Sequence, residues 1–178
     1  MQKSEIIFDC GNVLYEWRPH DYCQNFLGPA KNLENFMSFF LSSDWHLFDQ
    51  GHLNLTEISS KLSNYAQISH QQAQDLLTHA LQSTMQHPIE ENLNLIKWLK
   101  QHQFSVYILT NMSDDYYQIF CQDRRWPQVD GVVVSGQEKL VKPDPKIFQL
   151  ALDRFNLDAE RSVFIDDLSA NVDGAQSL

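Results

Sequence analysis

Ile6-Ile7-Phe8-Asp9-Cys10-Gly11-Asn12-Val13-Leu14 decides the fold of this chain. Three apolar, strand-forming residues run straight into a carboxylate, and a glycine and an asparagine turn the backbone at once. A parallel strand covered on both faces by helices reads as a short apolar run of this kind. In open α/β sheets the chemistry gathers just beyond the carboxyl ends of the strands, which places Asp9 as a reactive group. A strand followed by an ordinary Asx turn would look the same locally.

The pattern recurs, and the recurrence separates the two readings. Val106-Tyr107-Ile108-Leu109 runs into Thr110-Asn111. Val132-Val133-Val134 runs into Ser135-Gly136, with Lys142-Pro143 shortly after, and Val163-Phe164-Ile165 runs into Asp166-Asp167. Four apolar strands thus deliver an Asp, a Thr, a Lys and an Asp pair, in that order. The ordered set resembles the haloacid dehalogenase-like hydrolase superfamily, and most closely its phosphatase-like branch with a Phe-Asp-x-Gly-Asn-Val-Leu first motif. The resemblance spans nearly the whole chain. It implies an α/β fold, a Rossmann-like parallel sheet with flanking helices and an inserted helical cap.

Outward from the first strand, the chain leaves the sheet at Glu16-Trp17-Arg18-Pro19 and changes character. Residues 16–87 carry helical patterns and no strand. Asp21 to Leu27 reads as a short helix stopped by Gly28-Pro29, and Ala30 to Leu41 as another. Asn54 with Glu57, and Ser69 with Gln72, have the spacing of capping boxes opening two more. Phe36, Phe39, Phe40, Trp45 and Phe48 are expected to form the core of this insert. Trp45-x-x-x-Asp49-x-Gly51 resembles a cap signature of the branch, which often has Glu in the middle place. From Pro88 the β-α alternation resumes, with helices expected to open at Glu90-Glu91, with Leu93, Ile96 and Leu99 facing the sheet, at Ser113-Asp114-Asp115 and running to about Asp123, at Pro145 with Phe155 on its buried face, and near Ser169. The expected organisation is therefore a core of residues 1–15 and 88–178 and a cap of residues 16–87. The family adds at least one more strand after the last helix. Either the chain is truncated at its C-terminus or its sheet ends short.

The chain has 178 residues and a formal net charge of −10. No basic stripe exists to neutralise nucleic-acid phosphates. Cys10, Cys23 and Cys121 are odd in number and scattered, which argues for a reducing compartment over a disulfide framework. No signal-peptide h-region and no run of membrane-spanning length is present, so a cytoplasmic monomer or homodimer without membrane or nucleic-acid partners is expected.

A phosphate monoester repels nucleophiles, and the remedy is a metal, a cation, fixed donors and an aligned nucleophile. The resemblance implies Asp9 as nucleophile, forming an aspartyl-phosphate. It implies Mg²⁺ held by Asp9, the Gly11 carbonyl and the Asp166-Asp167 pair, with Asp167 the direct ligand and Asp166 supporting it. Asn171 is expected to orient a water or Asp167, and Asn12 to support the loop. Thr110 and Asn111 would bind phosphate where a strand end opens a helix. Lys142 would neutralise the phosphate and hold Asp9 ionised. His20, His46 and Asp49 are the cap residues that could touch substrate.

One departure matters. The superfamily usually carries a general-acid Asp two residues after the nucleophile, and here that residue is Gly11. Without it, turnover should depend steeply on leaving-group acidity, unless Asp49, His46 or His20 supplies the proton. Gly11 could also need a backbone angle that Asp tolerates poorly. The expected function is Mg²⁺-dependent hydrolysis of a small phosphorylated metabolite, a sugar phosphate foremost. The alternatives are a metal-free 2-haloacid dehalogenase and a metabolite-binding protein with little turnover. The Asp pair argues against the dehalogenase, since a metal-free site for an anion gains nothing from two extra carboxylates.

Overall fold

In a computed structural model that describes residues 5–27 and 33–178, four parallel strands form one sheet in the order β3-β2-β1-β4. They are β1 (Glu5–Phe8), β2 (Ser105–Thr110), β3 (Gly131–Val134) and β4 (Ser162–Ile165). The strand that opens the sequence lies inside the sheet, with Phe8 opposite Ile108 on one side and Ile165 on the other. The carboxyl ends of β1, β2 and β4 therefore lie side by side, and β3 joins them with Val134 opposite Thr110. That register brings Asp9, Thr110 and Asp166 to one edge of the sheet.

Helices α1 (Pro19–Leu27), α2 (Leu33–Phe39), α3 (Ser43–Asp49), α4 (Leu55–Ala66) and α5 (His70–Met85) form an insertion between β1 and the rest of the core. Its two ends meet: Glu16 N–H donates to the His87 carbonyl at 2.9 Å, and Tyr15 bridges to Pro88. Both capping boxes form as the spacing predicts, with Glu57 N–H to Asn54 at 2.9 Å and Gln72 N–H to Ser69 at 3.2 Å. Phe36, Phe39, Phe40, Trp45 and Phe48 are buried together, as expected of the core of the insert.

The core continues with α6 (Glu90–Gln101), α7 (Asp114–Phe120), α8 (Ser135–Glu138), α9 (Pro145–Phe155) and α10 (Ser169–Gln176). Asp144 caps α9 with Pro145 at its first position, which suits the missing amide of proline. Leu93, Ile96 and Leu99 of α6, and Ile147, Phe148 and Ala151 of α9, are buried against the sheet.

Several expectations shift. The short α3 and α8 were not anticipated, and α7 ends at Phe120 where a longer helix was expected. Helix α2 ends two residues before Leu41. The Gly28-Pro29 stop and the start at Ala30 fall outside the described residues. No helix among the described residues is long and apolar enough to cross a membrane.

Candidate active site

Asp9 follows the last residue of β1 and stays in the sheet's register, its N–H donating to the Ile165 carbonyl at 2.8 Å. Its side chain is therefore aimed off the strand end rather than across a face. Lys142 reaches it from the loop after α8, with Nζ 2.7 Å from Asp9 Oδ1 and 2.6 Å from Asp166 Oδ2. The lysine side chain is 1% exposed and that of Asp166 is fully buried, so this is an interior cation between two carboxylates. Such a group is held only where geometry satisfies both partners.

Other contacts fix each member. Asn111 clasps the Lys142 backbone twice, its amide donating to the Lys142 carbonyl at 2.9 Å and its oxygen accepting the Lys142 N–H at 2.8 Å. Asp166 Oδ1 accepts from Asn171 Nδ2 and from the Leu168 N–H, both at 2.9 Å. Asn12 sits in the left-handed region at φ 53° and donates to Asp167 Oδ2 at 3.0 Å, while its oxygen accepts the Trp17 N–H at 2.9 Å. Asn and Asp tolerate that conformation better than other side chains.

Asp9, Asp166 and Asp167 each offer an oxygen within 4.8 Å of the others. Three carboxylates against one ammonium leave two negative charges uncompensated. A cluster of hard oxygens without His or Cys suits Mg²⁺ over zinc or copper. Burial above all, and Asp166 next to it, push the Asp9 pKa up to about 6, against the downward pull of Lys142. Lys142 thus pulls toward the ionised form of Asp9 without outweighing burial.

The site opens into a cavity of about 320 Å³ that runs up under the insertion. Asp9, Gly11, Asn12, Thr110, Asn111, Lys142, Asp167 and Asn171 line its floor. Trp17, Phe40, Trp45, Leu81, Met112, Tyr116 and Phe120 wall it, together with His46 and Asp49. Trp17 stacks on Trp45 at 5.9 Å, and Phe40 meets Trp45 edge-on at 4.7 Å.

The residues singled out in the sequence therefore converge, with three corrections. Asn171 holds Asp166, not Asp167. His20 is not brought to the cavity; its ring lies exposed against Asp21 at 3.4 Å. Gly11 needs no unusual backbone angle, since the left-handed residue is Asn12, and a Cβ on Gly11 would meet nothing within 4 Å. Sequence reasoning missed Ser135. Its hydroxyl accepts the Met112 N–H at 2.8 Å and donates to the Asp49 carbonyl at 2.6 Å, tying the core to the insertion. A serine directly after an apolar strand was the available signal.

The fold is thus an α/β one, a parallel sheet with carboxylates at its strand ends and a lysine among them, beneath a helical insertion. The chain belongs to the haloacid dehalogenase-like hydrolases, whose family model matches residues 6–178. It is 25% identical over 173 residues to a sesquiterpene phosphatase of Aspergillus oryzae, covering 97% of this chain and 84% of that protein. A HAD family enzyme of Bacteroides thetaiotaomicron, solved with magnesium and inorganic phosphate, superposes with a TM-score of 0.76 at 20% identity. The match covers 99% of this chain and 90% of that one. The L-2-haloacid dehalogenase of Xanthobacter autotrophicus, with chloropropionic acid covalently bound, superposes at 0.73 and 14% identity over 99% and 74% of the two chains. At these identities the solved structures speak for the fold.

Proposed function

We propose that this protein is a Mg²⁺-dependent phosphatase that works through an aspartyl-phosphate on Asp9. The observation that carries it is the cluster itself: three carboxylates with mutually close oxygens around an interior lysine, at the strand ends of a hydrolase fold. A haloacid dehalogenase has no use for the added negative charge of Asp166 and Asp167. Magnesium and phosphate in the Bacteroides enzyme, and the phosphatase activity named for the Aspergillus relative, support the same reading.

Asp9, Asp167 and the Gly11 carbonyl would hold Mg²⁺, with Asp166 behind them. The ion's contribution when bound is charge neutralisation and alignment of the phosphoryl oxygens. Lys142 would neutralise the incoming phosphate, and Asn111 keeps that lysine in place through its backbone. The Thr110 hydroxyl has no partner among the described residues and is available to a phosphoryl oxygen. Asp9 then attacks phosphorus, the ester oxygen departs, and water hydrolyses the acyl phosphate.

The insertion acts as a cap that selects the organic group. A sugar phosphate, the substrate expected first, would bring several hydroxyls into walls whose polar cap side chains are His46, Asp49 and Thr84. The Thr84 hydroxyl already donates to the Ala80 carbonyl at 2.9 Å. Each buried hydroxyl left unpaired costs about 1–3 kcal/mol. The aromatic walls favour an apolar organic group, such as an aryl or isoprenoid phosphate, and the sesquiterpene phosphatase relative supports that choice. The test is a panel of aryl, isoprenoid and sugar phosphates assayed with Mg²⁺ and with EDTA, beside 2-haloacids assayed for halide. Mg²⁺-dependent phosphate release, fastest from apolar esters, is expected. Halide release that survives EDTA would overturn the reading.

A further inference from the structure

Gly11 leaves no acid beside the nucleophile, yet an alkyl ester oxygen departs poorly unless it is protonated. Across the cavity, Asp49 ends α3 on the face it shares with Trp45, one helical turn back. Its carboxyl makes no hydrogen bond or ion pair with any described residue. Asp9, Asp166 and Asp167 are all engaged. Unlike its side chain, the Asp49 main chain is fixed to the core. Its carbonyl accepts from Ser135, and two residues on the Gly51 carbonyl accepts from Lys139. Gly51 sits at φ +70°, so close to Gly136 that an added Cβ would lie 2.0 Å from the Gly136 oxygen. The Trp-x-x-x-Asp-x-Gly stretch is thus a device that aims one unpartnered carboxyl at the cavity from a clamped backbone.

We propose that Asp49 is the catalytic acid, donating its proton to the bridging ester oxygen and so replacing the group absent at Gly11. The proposal rests on the phosphatase reading. As an Asp9 oxygen bonds to phosphorus, the bond from phosphorus to the bridging oxygen breaks. Its electron pair stays on that oxygen, which takes the Asp49 proton and leaves as the alcohol. The Asp49 carboxylate then accepts a proton from the water that attacks the phosphoryl-aspartate. That step restores the acid, frees Asp9 and releases phosphate.

Burial first, and the charge of Asp9 second, raise the Asp49 pKa well above the usual carboxylate range. Both effects favour the protonated form of the carboxyl. The other ionisable groups on the cavity are His46 on the same helix, Tyr116 on α7, Cys10 and Tyr15 after β1, and Asp9, Lys142 and Asp167 on the floor.

The test uses the full chain at saturating Mg²⁺ and a series of aryl and alkyl phosphates of graded leaving-group acidity. For the wild type, the rate should depend weakly on the leaving group. Asp49→Asn keeps the shape and removes the proton. It should slow alkyl esters about 10²- to 10⁴-fold and the most acidic phenyl esters far less, while Mg²⁺ affinity by calorimetry stays unchanged. Adding Gly11→Asp to Asp49→Asn should recover the alkyl esters, since the space beside Gly11 is open. A steep wild-type dependence would overturn the assignment without any variant, and the phosphatase reading would survive it. An equal slowing of all esters by Asp49→Asn would also overturn it. Absence of Mg²⁺-dependent phosphate release from every ester would overturn both.

Discussion

Lys142 stands between two buried carboxylates, so its removal should cost more than a surface charge would. Lys142→Met leaves Asp9 and Asp166 facing one another in the interior. Breaking a buried pair in this way costs about 3–5 kcal/mol, to be read by urea unfolding in EDTA. Saturating Mg²⁺ should recover more stability in the variant than in the wild type, because it supplies the missing positive charge. An equal Mg²⁺ effect on both proteins would contradict the shared cluster. The Asp pair should divide by role. Asp166 meets Lys142, Asn171 and the Leu168 N–H, so Asp166→Asn should lower stability. Asp167 is exposed and has one oxygen free of protein partners. Asp167→Asn should therefore weaken Mg²⁺ binding with little change in melting temperature. The reverse pattern would reassign the ligand. At this scale the sequence named Asp9, Thr110 and the Asp pair because each closes or directly follows an apolar strand, and strand ends share an edge. It did not name their partners. Asn111 grips a backbone 31 residues away and Asn171 turns to Asp166. Such choices depend on loop geometry that no local spacing encodes.

At the scale of elements, α3 and the turn after it couple the insertion to the core. Gly51→Ala must fit a methyl against the Gly136 carbonyl at positive φ, a strain of about 1–3 kcal/mol even before the clash. It should lower both stability and kcat, since it displaces the segment carrying Asp49. Asn54→Ala, a few residues on, should cost about 1 kcal/mol through loss of its capping box and leave kcat near wild type. Thermal melts and steady-state kinetics on the two variants separate them, and a kcat loss in Asn54→Ala equal to that in Gly51→Ala would contradict the clamp. The capping boxes at Asn54 and Ser69 were legible because side chain and backbone interact within one turn. Helix α3 was not. It has seven residues, and the aromatic cluster it carries gives no clean helical period. The four-residue α8 is shorter still.

Over the whole molecule, the sheet order β3-β2-β1-β4 places the first strand inside, and the insertion leaves and returns beside it. The floor and much of the wall of the cavity thereby come from different parts of the chain. Carboxylates and lysine sit at the strand ends, and an aromatic roof comes from a stretch with no strands. The apolar runs and their order made the floor readable in advance. The roof was readable only as composition, because which aromatic faces the cavity depends on how five helices pack. The central claim is that phosphoryl transfer passes through Asp9 and needs Mg²⁺. Its most direct measurement is mass spectrometry of the protein quenched in acid during turnover of an aryl phosphate. With Mg²⁺, the peptide containing Asp9 should gain the mass of one phosphoryl group, and EDTA or Asp9→Asn should abolish the gain. Steady turnover with that peptide unmodified, or with the added mass on another peptide, would contradict it.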